Sequence, residues 1–95
     1  MIRHVVMWKF RPGCEAQAEE FMTRLAALTG EIEVIRHLEI RKDCSDKADH
    51  YSAMLISDFD SVEDMNAYLN DPRHKAVSAL CKSIREDRAC VDYTI

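Results

Sequence analysis

Apolar residues recur at every second position from Ile2 to Phe10, with Ile2, His4, Val6, Trp8 and Phe10 on one side and Arg3, Val5, Met7 and Lys9 on the other. That period predicts a β-strand. Turn residues follow at Arg11 to Gly13, and then Ala18, Phe21, Leu25 and Leu28 recur at spacings of three and four. This is the stripe of an amphipathic helix, with Gly30 as its expected C-terminal cap.

Alternation returns from Ile32 to Lys42, with Val34, Leu38 and Ile40 opposite Ile35, His37, Glu39 and Arg41, and predicts a second strand near an edge. After the polar "DCSDKAD", the run His50 to Phe59 sets Tyr51, Ala53, Leu55 and Phe59 against Ser52, Met54 and Ile56, a third strand. Ser61 with Asp64 three residues on predicts a helix start, and Met65, Tyr68 and Leu69 its buried stripe as far as about Asn70. Asp71 then reads as a new N-cap with Pro72 at the first helical position, where a missing N–H costs nothing. Val77, Leu80, Cys81 and Ile84 give that helix its apolar face. Ala89, Val91, Tyr93 and Ile95 alternate with Cys90, Asp92 and Thr94 as a last strand.

The order β-α-β-β-α-α-β predicts an α+β, ferredoxin-like split βαβ sandwich: a four-stranded antiparallel sheet with helices on one face. Helices cover only one side, yet Val5, Met7, Met54, Ile56, Val91 and Tyr93 would face away from them. An apolar patch of this kind predicts a partner surface, and the simplest partner is a second sheet in a two-fold homodimer.

Composition narrows the function classes. A chain of 95 residues has room for one domain, residues 1–95, and its 47% hydrophobic and 32% charged residues are those of a folded globular protein. A net charge of −4 without a basic run gives a nucleic-acid backbone little to hold. The N-terminal strand is charged and too short for a membrane span or signal core, so a cytosolic protein without membrane or nucleic-acid partners is expected. Cys14, Cys44, Cys81 and Cys90 form no C-x-x-C pair and read as ordinary reduced, buried or half-buried thiols. The four histidines have no metal-ligand spacing, and "DFDSVED" lacks the glycine and terminal glutamate of a calcium loop. No metal and no cofactor are expected.

Three stretches together, "IRHVVMWKFRPG", "FDSVEDMNAYLNDPRHKAV" and "DRACVDYTI", resemble the stress-responsive A/B barrel (Dabb) domain over essentially the whole chain. The resemblance implies a dimeric α+β barrel of two protomers packed sheet against sheet. It implies less about activity, although a plant polyketide cyclase of the family uses a tyrosine and a histidine as a catalytic pair, which fall here on Tyr68 and His74. Its pocket, between sheet and helices, would be lined here by His4, Val6, Trp8, Leu38, Leu55 and Val77. The chain departs from that cyclase at Ala53, in place of a pocket histidine, and at Arg85, in place of a tryptophan. Asp71 stands where many relatives have histidine.

If Asp71 caps the helix, His74 lies in its first turn, and a neutral imidazole there would serve as a general base. Tyr68 would donate a hydrogen bond to a carbonyl or enolate oxygen. The function classes are then a small-molecule binding module for an apolar or carbonyl-containing ligand, a cofactor-independent acid/base enzyme of cyclase or isomerase type, and a structural, stress-associated dimer whose pocket is filled by its own side chains. Tyr68 and His74 have a structural reading too, as a core tyrosine with a wet hydroxyl and a histidine that satisfies a helix end.

Overall fold

The computed structural model describes residues 1–95. Its elements are β1 (Ile2–Phe10), α1 (Glu15–Ala27) running into a 3-10 turn (Leu28–Gly30), β2 (His37–Lys42), β3 (Ala53–Phe59), α2 (Val62–Asn70), α3 (Pro72–Ile84) and β4 (Arg85–Thr94). The strands form one antiparallel sheet in the order β2-β3-β1-β4, the α+β, ferredoxin-like fold that the hydrophobic periods predict.

Side-chain alternation decides which face is covered. Val6, Trp8, Ala53, Leu55 and Phe59 point to the helices and join Ala18, Phe21, Met22 and Leu25 of α1 and Val77, Cys81 and Ile84 of α3 in one core. Trp8 meets Phe21 edge-on, with ring centroids 5.1 Å apart, an arrangement worth about 1 kcal/mol beyond the area it buries. On the opposite face Met7 pairs across the ladder with Met54 and Val5 with Ile56 and Val91. This face is open: Val91 is 64% exposed and Tyr93 45%. At its end Arg3 grips Asp58 bidentately at 2.8 and 2.9 Å.

Three boundaries differ from those expected. Strand β2 begins at His37 rather than Ile32, because the buried pair Ile32 and Ile35 are spaced by three and sit on successive turns, with Ile32 N–H donating to Leu28 and Ile35 N–H to Ile32. Strand β3 begins at Ala53 rather than His50. Asp43 and Ser45 hold the His50 ring, at 3.1 and 2.7 Å, and so close the preceding loop on itself. Strand β4 begins at Arg85, straight from α3, well before the apolar alternation of Ala89 and Val91. Its first residues, Glu86, Asp87 and Arg88, are exposed on an edge strand, where charge is tolerated and discourages stray pairing. Gly30 closes the 3-10 turn rather than a left-handed cap; Gly13, at φ 85°, is the glycine whose turn needs positive φ. Two cysteines also depart from expectation, since Cys44 and Cys90 are exposed; all four are free thiols.

Candidate functional site

The break between α2 and α3 is built by one residue used twice. Asp71 terminates α2, its N–H donating to the Tyr68 carbonyl at 3.1 Å, and starts α3, its carboxylate accepting from the Arg73 N–H at 2.8 Å. The extended conformation this requires is also the one favoured before proline. Hydrogen bonds from the Arg73 side chain and backbone hold the Asp71 carboxyl down at about 2. With the cap fixed, His74 occupies the third position of α3.

His74 then finds an orphan. The last carbonyls of a helix have no partner within it, and the Leu69 carbonyl lies 3.2 Å from His74 Nδ1. A carbonyl only accepts, so Nδ1 carries the proton and, in the neutral ring, Nε2 keeps its lone pair. Burial lowers the His74 pKa from its ordinary value, and the nearby positive charge of His4 and Arg88 lowers it further, against the opposing Leu69 bond and Asp71 charge. The neutral state is thus set chiefly by burial. Tyr68 lies fully buried with its ring centroid 4.4 Å from that of His74 and 5.1 Å from that of Phe59. Its hydroxyl has no hydrogen-bond partner, and burial pushes its pKa far above the usual tyrosine range. It is a hydrogen-bond donor at every ordinary pH, never a base.

A cavity of 40 Å³ lies between the sheet and the helices. His4, Val6, Trp8 and Leu55 line it together with His74. Phe21 and Leu25 of α1 and Ser78 and Cys81 of α3 complete the wall, with Arg85 and Arg88 of β4. Two residues assigned to the pocket from sequence lie elsewhere: Val77 is packed in the core, and Leu38 borders a separate surface groove beside α1. Tyr68 covers His74 without lining the cavity.

His4 brings in a partner that the sequence pattern does not reveal. Asp92 lies directly across the ladder from it, and the carboxylate is 2.5 Å from His4 Nδ1. Bonding to the carboxylate puts the proton on Nδ1 and leaves Nε2 unprotonated in neutral His4, the same tautomer as His74. Strand parity places Cys90 and Asp92 on one face, but only the β1–β4 register shows that this is the face of His4.

Cys90 Sγ completes a cluster with His4 and Asp92 whose donor atoms lie within 4.8 Å of one another. The sulfur stands 3.6 Å from His4 Nδ1 and 3.7 Å from Asp92 Oδ1, distances a shared cation would fit. The nitrogen and oxygen, however, are in hydrogen-bond contact, closer than the roughly 3.3 Å between two donors on one tetrahedral zinc. Burial and the Asp92 charge also raise the Cys90 thiol pKa, so the cluster as it stands is a hydrogen-bonded one.

A model described as the Stress Responsive A/B Barrel Domain matches residues 2–95. Olivetolic acid cyclase of Cannabis sativa is 28% identical over 96 residues, covering 98% of this chain and 95% of the cyclase. An uncharacterized protein of Streptomyces coelicolor is 32% identical over 83 residues, 84% of this chain and 86% of that protein. Among solved structures, a dimeric protein of unknown function and ferredoxin-like fold from Bacteroides fragilis superposes with a TM-score of 0.90 at 28% identity, covering 99% of this chain and 95% of that one.

Proposed function

This chain belongs to the stress-responsive A/B barrel family, and from that premise we propose that it binds a small carbonyl compound between sheet and helices and moves a proton on it. The observation that carries this reading is the placing of His74, with Nδ1 tied to the Leu69 carbonyl at the wall of a cavity, where burial lowers its pKa and favours the neutral imidazole. A lone pair held in that way suits abstraction of a proton next to a carbonyl, as in an aldol cyclisation or an isomerisation. The unpartnered Tyr68 hydroxyl, behind His74 and outside the cavity lining, would become a donor for the oxygen on which charge develops once its ring turned toward the ligand. His4, oriented by Asp92, provides a second proton carrier on the facing strand. The likeness to olivetolic acid cyclase agrees with this class of chemistry, while Ala53 and Arg85 argue for a different substrate.

The homodimer belongs to the same proposal. Two open faces, centred on Val5, Met7, Met54, Ile56, Val91 and Tyr93, would pack sheet on sheet; the Bacteroides fragilis relative of ferredoxin-like fold is dimeric. The 480 Å³ groove on that face, bordered by Met7, Met54 and Tyr51, then lies at the contact.

A panel of small ketones incubated with the protein in D2O tests the chemistry. Exchange of α-protons, read by proton NMR, is expected with the native protein and is expected to fall by about 100-fold or more in folded His74→Gln. Equal exchange in both proteins would remove the base role. A second reading, a binding module without turnover, is favoured by the cavity's small size and by the Tyr68 ring standing outside its lining. It predicts retained ligand and no exchange.

A further inference from the structure

The geometry points to an anionic ligand: Arg85 and Arg88 form a carboxylate-binding end of the cavity, so the carbonyl compound it takes also carries a negatively charged group. The inference rests on the reading of the cavity as a small-molecule site and specifies what that site selects.

Charge around the cavity is one-sided. No aspartate or glutamate lines it, whereas Arg85 and Arg88 do, in a chain whose net charge is −4. Four of the eight arginines are matched by a carboxylate, Arg3 with Asp58, Arg36 with Asp60, Arg41 with Glu39 and Arg73 with Asp71, and of the other four only Arg85 and Arg88 line the cavity. Arg85 and Arg88 have no such partner and lie beside the thiols of Cys81 and Cys90. Asp92, on the same face of β4, is already engaged by His4. A half-buried guanidinium such as that of Arg85 is stabilised when its fork of N–H donors is met, and a carboxylate meets it with two parallel bonds.

The fold explains why the two charges converge. Trp8 faces Arg88 across the ladder, and a register shift between Lys9 and Phe10 sets Arg85 opposite Phe10. Both side chains can thus meet the cavity from the start of β4, next to the end of α3. One water needs about 10–15 Å³ of such space, so a cavity of 40 Å³ takes a group the size of acetate. The rest of a larger ligand would lie toward the exposed Arg88.

Acetate and acetamide have the same shape and differ in charge, so the pair isolates the claim. Each is titrated into the 15N-labelled native protein at low chloride, following the His74 and Ser78 amides, and then into Arg85→Gln/Arg88→Gln, whose fold is checked from its own amide spectrum. Saturable acetate shifts are expected, at least about tenfold weaker with acetamide and at least about tenfold weaker in the double variant. Acetamide binding as tightly as acetate would overturn the anionic preference and leave the cavity reading intact. Acetate binding unchanged in the double variant would overturn the role of the two arginines. No shift with either probe would overturn the cavity reading and this inference together.

Discussion

The Tyr68 ring lies 4.4 Å from the His74 ring, yet the Tyr68 hydroxyl, wholly buried, reaches no hydrogen-bond partner. An unsatisfied buried hydroxyl costs about 1–3 kcal/mol. Folding alone would be served by phenylalanine. Tyr68→Phe is therefore expected to raise stability by about 1 kcal/mol, measured by urea denaturation, while weakening α-proton exchange or ligand retention. A variant that is less stable than the native protein would show that the hydroxyl is satisfied in solution and has a structural role.

The cap at Asp71 positions His74. Asp71→Ala removes the carboxylate from the Arg73 N–H and is expected to cost about 1 kcal/mol, with the exchange rate falling as His74 loses its place. Asp71→Asn keeps an accepting oxygen and should recover most of the stability. Equal losses in both variants would assign the effect to charge instead of capping.

Stability should depend on pH through His74. Its folded pKa lies below the ordinary 6.5 of the unfolded chain, so below that pH the unfolded state binds more protons and gains on the folded one. The contribution is fully present above about pH 6.5 and is lost as pH falls from there through the folded pKa. Urea midpoints of the native protein should decline over that window, and those of His74→Gln should decline less. Parallel curves would contradict the burial argument.

Val91 is 64% exposed on the open face, opposite Val5 in the ladder. A charge there would be desolvated between two sheets. Val91→Asp is expected to convert a dimer to a monomer by light scattering, with the fold of each protomer retained. A persistent dimer would place the contact elsewhere.

Much of this was legible in the sequence, and the parts that were not have physical reasons. Two-residue alternation located β1, and Ser61, Asp71 and Pro72 fixed both helix starts because capping is local chemistry. His74 at the third position of α3 follows from that cap alone. The pairing of His4 with Asp92 joins residues at opposite ends of the chain, and only the strand register brings them together. Arg85 is marked in the sequence only as a departure from the related cyclase, and Arg88 not at all, because both stand at the charged start of an edge strand where no apolar period marks the element. The resemblance places Leu38 in the pocket, but Leu38 borders a separate groove beside α1, and a shared fold does not say where along a strand a hollow lies.

The neutral state of His74 is the point on which the chemistry turns. A 15N NMR titration of the imidazole nitrogens reads both its charge and its tautomer. A proton on Nδ1, an unprotonated Nε2 at pH 7 and a pKa below 6.5 are expected. An imidazolium at pH 7, or a neutral ring with its proton on Nε2, would contradict the base role.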